Sequence, residues 1–247
     1  MNETINLLME HRSIRKYADK PVSREIVEQV IAAAQMASSS SNVQAYSVIA
    51  VTDTERKQKL SQLSGRQAYI VECPVFLVWC ADLSRLKNVA RCHLPDSESY
   101  EGATENFIVA TVDVALAAQN AAIAAESLGL GIVYIGGIRN QIQQVAELLN
   151  LPELVYPVFG MCLGYPDQEP GLRPRLPQQA VLHWEEYDGA ENERQVAEYD
   201  EIMSEYLRKR TGGTKDTPWS RLMAEKLTTP SRLHMKEFLQ QHGFKLD

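Results

Sequence analysis

The segment from about Ala103 to Leu128 constrains the fold of this chain more than any other. It is rich in alanine and carries apolar residues on almost every face of a helix. Such a helix belongs in a core or in an interface between subunits. At about 1.5 Å per residue it would be roughly 39 Å long, enough to cross a small domain. A bilayer span would need a similar length, but Asp113, Gln119, Asn120 and Glu126 interrupt the run and argue against one. The remaining elements are therefore expected to wrap around a buried rod.

Several of those elements are legible. A first helix covers about Glu3 to Glu10. A second follows Pro21, with Ser23 as its N-cap and Ile26, Val27, Val30, Ile31 and Ala34 at helical spacing to about Met36. Ile26 stands where a full capping box wants an acid or amide, so only half of that signal is present. Ser47 to Thr52 is β-branched and strand-like, and a charged helix runs from about Thr54 to Leu63. Pro74 to Cys80 is a continuous apolar run, the mark of a strand covered on both faces. Leu83 to Tyr100 reads as helix and loop. After the long helix, Gly129 and Gly131 end it, Ile132 to Ile135 forms a short strand, and Gly136-Gly137 a turn. A helix from about Asn140 to Asn150, a strand from Tyr156 to Leu163, and a Pro-rich loop from Pro166 to Pro177 come next. The more polar remainder holds helices at about Asn192 to Arg210 and Ser231 to His242, with a break at Gly212-Gly213. Strands and helices do not alternate regularly, so the fold class is α+β rather than doubly wound α/β.

The formal net charge of −7 gives no footprint for nucleic acid or an anionic membrane surface. The N-terminal MNETINLLMEHRSIRKY lacks the apolar run and cleavage site of a secretory signal. Cys73, Cys80, Cys92 and Cys162 are far apart, with no C-x-x-C and no Cys/His ligand spacing. The expectation is a reduced cytoplasmic protein without a structural metal.

Gly129-Leu130-Gly131 invites a dinucleotide-binding reading, but that fingerprint needs strand, glycines, then helix, and here the helix comes first. No G-x-x-x-x-G-K-[ST] is present. A nucleotide, if bound, is held in another way. His11-Arg12-Ser13-Ile14-Arg15-Lys16-Tyr17 packs cations and a hydroxyl just beyond a helix. In an extended chain Ser13 and Arg15 share a face, with His11 near it. Guanidinium and hydroxyl suit a phosphate, while basic residues at a helix end also simply favour its dipole. Arg173-Pro174-Arg175 is a second cationic site, stiffened by Pro174, and reads equally as solvated loop charge. Tyr134-Ile135-Gly136-Gly137 places two glycines at a strand end, either for close backbone approach to a ligand or for a tight turn.

Five motifs in one order carry a resemblance: His-Arg-Ser-Ile-Arg, Ser38 to Ser41, Ala124 to Gly131 (AAESLGLG), Tyr134 to Arg139 (YIGGIR), and Pro174 to Pro177 (PRLP). Together they resemble the oxygen-insensitive, NADPH-preferring nitroreductases and flavin reductases of bacteria, over nearly the whole chain. That resemblance implies one FMN-binding domain over residues 1–247, with a central, mainly antiparallel sheet and a C-terminal helical extension from about residue 190. It implies a homodimer with each active site at the subunit interface.

Carried over residue by residue, His11, Arg12, Ser13 and Arg15 would hold the phosphate and ribityl end of FMN, joined by Ser39 from the partner subunit. Gln67 and Tyr69 would lie beside the flavin, and Tyr134, Ile135, Gly136 and Gly137 along the isoalloxazine. Arg173 and Arg175 would complete the anion site, Arg173 standing where relatives often carry Lys. Arg210 and Lys215, in a basic loop after a late helix, would meet NADPH; some relatives have Arg at the second position, and Lys cannot make its bidentate fork. The implied chemistry is ping-pong hydride transfer from NADPH to nitroaromatics, quinones, free flavin or chromate. It needs no essential side-chain acid or base, and Arg15 would favour the anionic reduced flavin. The alternative is a flavin-binding carrier or redox sensor without turnover.

Overall fold

The computed structural model describes residues 2–247. The chain divides into two compact units: the described residues of Met1–Pro170 with His234–Asp247, and Gly171–Leu233.

The first unit is built on four strands: β1 (Tyr46–Val51), β2 (Val75–Asp82), β3 (Gly131–Ile135) and β4 (Val155–Gly164). Their order is β1-β2-β4-β3, and each neighbouring pair is antiparallel. The first unit therefore has the antiparallel sheet of an α+β fold. Up to Pro170 the helices that accompany it are α1 (Glu3–Met9), α2 (Arg24–Gln35), α3 (Thr54–Leu63), α4 (Tyr69–Glu72), α5 (Ser84–His93), α6 (Thr104–Ser127) and α7 (Ile142–Leu148).

Strand β2 is buried along its whole length, as its continuous apolar run requires. Its alternate residues enter different cores. Val75, Leu77, Trp79 and Ala81 pack with α2 and α6, whereas Phe76, Val78 and Cys80 pack with Leu60 of α3, Ile70 of α4 and Val145 of α7. Helices thus cover both faces of the sheet. Local signals start the helices where the sequence places them. The Ser23 hydroxyl accepts the Ile26 N–H at 3.4 Å, and the Asp53 carboxylate accepts the Arg56 N–H at 2.8 Å.

Helix α6 is the rod. Ala110, Asp113, Val114, Ala117, Ala118, Ala121, Ala122 and Ala125 form its buried face. By length and composition it would also cross a membrane. Its small side chains instead let α2 and the sheet approach closely. The opposite face stays apolar and open, with Ile108, Val112 and Leu116 exposed at 49%, 49% and 43%.

The glycines after α6 do different work from that expected. Gly129 turns the chain at φ +75°, but Gly131 is the first residue of β3. A Cβ there would lie 2.4 Å from Ile14 Cγ1, so glycine is required for close packing rather than for ending a helix. Gly136-Gly137 opens a 3-10 turn through Arg139, and the helix expected from Asn140 begins at Ile142.

The second unit holds α8 (Asn192–Thr211) and α9 (Trp219–Thr228). Helix α8 ends at Gly212 in the left-handed region, where Gly213 N–H returns to the Arg208 carbonyl at 2.8 Å. Helix α9 and the single turn α4 are absent from the sequence reading. The last helix, α10 (Met235–Gln241), belongs to the first unit. There Phe244 is fully buried against Phe107 and Tyr156, at ring separations of 5.9 and 5.3 Å.

Gly131→Ala is expected to push Ile14 off β3 and destabilise the protein by about 1–3 kcal/mol. Urea unfolding measures this; an unchanged midpoint and slope would show that Ile14 is not held there.

Candidate functional site

Apart from Ser39, the sequence-predicted residues of the first unit lie on or near β3. The segment after α1 runs beside that strand, with the Ile14 N–H donating to the Ile132 carbonyl at 2.8 Å. Ile14 is buried on Gly131, and Tyr17 Oη donates to the Ile14 carbonyl at 2.8 Å. His11 Nδ1 lies 2.6 Å from Glu126 Oε1, in the last turn of α6. A carboxylate at a helix C-terminus opposes the dipole, so Glu126 gains from a hydrogen-bonding partner there. Arg12 turns toward other oxygens: Nε donates to the Glu10 carbonyl at 3.0 Å, and Nη1 approaches Glu169 at 3.5 Å. The side chains of Ser13 and Arg15 have no hydrogen-bond partner among the described residues, and Arg15 is exposed.

At the far end of β3, Gly137 meets the turn after α3. A Cβ on Gly137 would stand 2.3 Å from the Ser64 carbonyl and 2.6 Å from Gln67 Nε2. Gln67 is locked: Nε2 donates to the Ser64 carbonyl at 2.9 Å, and Oε1 accepts from Tyr69 Oη at 2.5 Å. One amide hydrogen and one lone pair of Gln67 stay free. In this turn Gly65 takes φ of +88°, open to glycine, and Arg66 is strained at +58°. Ser64 is fully buried, and its hydroxyl has no partner. Tyr134 faces the α6 side of the sheet, edge-on to Phe159 at 5.1 Å. Burial, and then the nearby Glu126, push its phenol well above the usual tyrosine range. The side chain of Ile135 lies in the core, so this residue offers only its backbone.

The Ser38 to Asn42 loop is held from α6. Asp113 is 1% exposed, and its two oxygens accept the Ser40 and Ala45 N–H groups, each at 3.1 Å. Between these anchors Ser41, Asn42 and Gln44 have φ of +47°, +59° and +49°. Three non-glycine residues in the left-handed region persist only where surroundings over-determine them. Ser39 Oγ accepts the Gln44 N–H at 3.2 Å.

Four predicted residues lie in the second unit. Tyr199 of α8 donates to the Pro174 carbonyl at 2.8 Å and feels both Arg173 and Arg175. That bond ties the backbone between the two arginines to α8. Arg210 is exposed and donates to Tyr206 Oη at 2.9 Å. Lys215 N–H donates to Thr211 Oγ1 at 3.0 Å, which folds the basic loop back on the end of α8. Sequence reasoning missed Glu126, Asp113 and Ser64. The first two stood out only as polar interruptions of an apolar helix.

The chain is similar to known proteins over nearly its whole length. The model of the Nitroreductase family matches residues 8–165, and that of the Nitroreductase family, C-terminal domain, matches residues 173–247. The "FMN reductase (NADPH)" of Bacillus subtilis (strain 168) is 42% identical over 249 residues, covering 99% of each chain. The "Oxygen-insensitive NADPH nitroreductase" of Salmonella typhimurium is 42% identical over 244 residues, again 99% of each. The solved NADPH:FMN oxidoreductase from Vibrio harveyi, complexed with NAD+, superposes with a TM-score of 0.88 at 40% identity, covering 98% of each chain.

Asp113→Ala leaves two amides unpaired and is expected to cost about 2 kcal/mol or more. Hydrogen exchange at Ser40 and Ala45 should accelerate beyond the global loss of stability. Protection unchanged at both amides would remove Asp113 as the anchor.

Proposed function

Because this chain belongs to the nitroreductase family and is an NADPH-linked flavin oxidoreductase within it, we propose that it binds FMN along β3 and carries hydride from NADPH to small acceptors. The observation that carries this reading is the set of free donors about β3. At one end the Ser13 hydroxyl and Arg15 guanidinium lack partners, a pair suited to a dianionic phosphate. At the other, Gly136 and Gly137 bring bare backbone beside the locked amide of Gln67. That combination suits a flat ring with donors and acceptors on its edge. From Ile132 to Gly136 the chain covers about 13 Å at roughly 3.3 Å per residue, a span suited to a ribityl phosphate and a flavin ring together. The unpartnered Ser13 hydroxyl, the Arg15 guanidinium and the remaining amide hydrogen of Gln67 are donors that a bound phosphate and ring edge would satisfy. The residues present therefore fit FMN.

FMN supplies the hydride chemistry when bound. The chain positions it. Ser13 and Arg15 hold the phosphate, and His11, turned by Glu126, stands at the ribityl end. Gln67, Tyr69, Tyr134 and the backbone of residues 135–137 orient the ring. Arg12 contributes least, since Glu10 and Glu169 already engage it. Ser39 serves the site of a second copy. The apolar face of Ile108, Val112 and Leu116 supports a homodimer, because an exposed stripe of this kind is normally covered. Arg173 and Arg175 form the second phosphate-suited site, and Arg210 and Lys215 receive the extra phosphate of NADPH. NADPH and acceptor take turns at one place, which makes the cycle ping-pong. Nitroaromatics, quinones, free flavin and chromate are the acceptors of this reading, and the cytoplasm its location.

Anaerobic NADPH is expected to bleach the yellow absorbance, and an acceptor to restore it; persistent colour would indicate a flavin carrier without turnover. Arg15→Ala should release FMN on gel filtration, and wild-type retention would remove Arg15 from the phosphate site. Arg210→Ala should raise the KM for NADPH by about tenfold, the loss of one charge-assisted hydrogen bond, with the KM for NADH nearly unchanged. Equal increases for both would place Arg210 away from the extra phosphate.

A further inference from the structure

On the sheet face opposite α6, two thiols meet. Cys73 follows α4 and leads into β2, whereas Cys162 lies on β4. Cys73 Sγ is 3.4 Å from the Ile70 carbonyl and Cys162 Sγ is 3.5 Å from the Tyr69 carbonyl, adjacent groups of one helical turn. The two thiols lie close enough for each to shift the ionisation of the other. Beside them Lys57 of α3 is buried, at 5% exposure, with no carboxylate partner among the described residues. Its Nζ donates to the carbonyls of Cys73, at 2.6 Å, and Val71, at 3.0 Å. A buried ammonium without a counter-ion is costly, and it favours an anionic sulfur next to it.

The two sulfurs differ in character. The neighbouring Cys162 thiol and the Lys57 charge hold the Cys73 thiol below the usual range. Burial holds the Cys162 thiol well above it. Cys80 is the internal contrast: equally buried, it is pushed up to about 12 by burial, with Asp82 as its only charged influence. Cys73 and Lys57 also border a surface cleft with Tyr17, Lys20, Glu72 and Pro74; the Cys73 side chain is itself fully buried, so a small reagent reaches the sulfur from this cleft through a local opening.

We propose that Cys73 and Cys162 form a redox dithiol, a site that hydroperoxides convert to a disulfide with Lys57 alongside. The Cys73 thiolate attacks one peroxide oxygen, the O–O bond breaks, and the departing oxygen leaves as water after taking a proton. Cys73 is then a sulfenic acid. The Cys162 sulfur attacks it, the S–S bond forms, and the S–O oxygen leaves as a second water. Two thiols have lost two electrons and two protons, and hydrogen peroxide has taken them. Closing the bond also draws Cys162 away from the Tyr69 carbonyl, and Tyr69 is the residue that fixes Gln67. The inference is independent of the FMN reading.

The test treats the full-length protein with hydrogen peroxide, alkylates it after unfolding, and maps the four cysteines by fragmentation mass spectrometry. The expected product has lost two hydrogens and contains a Cys73–Cys162 crosslink, with alkylation at both positions reduced at least about tenfold and Cys80 still free. Cys80→Ala should form the same crosslink, and Cys162→Ala should instead stop at an oxygenated Cys73. Full alkylation of Cys73 and Cys162 in the treated wild type would overturn the proposal. So would sulfinic acid at Cys73 beside a free Cys162.

Discussion

Two carboxylates on one buried helix hold much of the candidate site in shape. Asp113, in the middle of α6, accepts two amides of the loop that carries Ser39. Glu126, in its last turn, bonds His11 and lies close enough to Tyr134 to disfavour ionisation of its phenol. Neither interaction would serve on a mobile element. The alanine face of α6 packs against α2 and all four strands, so the two carboxylates are fixed relative to the sheet. Burying an acid is costly unless its oxygens are satisfied, and here the groups that satisfy them belong to the candidate ligand-binding segments.

This dependence explains where backbone strain occurs. Left-handed φ at Ser41, Asn42 and Gln44, and again at Arg66, falls on the loop that leads into β1 and on the turn after α3 that meets Gly137. Each loop is tied down at close range, the first by Asp113 and the second by the Ser64–Gln67–Tyr69 bonds. Strain of this kind, sustained by surrounding bonds, gives a site shape before a ligand arrives. The free donors of Ser13 and Arg15 then need little rearrangement, because Ile14 between them is locked to Ile132.

Periodicity and capping made most of the first unit legible. The Ser23 cap, the helix from Thr54 to Leu63, the continuous β2 run and the α6 rod all appear where local chemistry placed them. The misses share a cause. Gly131 looked like a helix stop because its reason, the side chain of Ile14, is remote in sequence. Helix α9 has no N-terminal side-chain cap, and α4 is a single turn. Asp113 and Glu126 looked like blemishes in an apolar run, since their partners lie 68–73 and 115 residues away. Site residues with a motif around them were visible; those that act by supporting others were not.

The central claim is that α6 positions the ligand-binding segments while contributing no ligand contact. The direct measurement is the FMN dissociation constant of Glu126→Ala, by fluorescence titration of the apoprotein. The account predicts affinity at least about tenfold weaker than wild type, with the urea midpoint shifted only modestly, because His11 loses its orientation and the fold does not. Wild-type FMN affinity in that variant would contradict it.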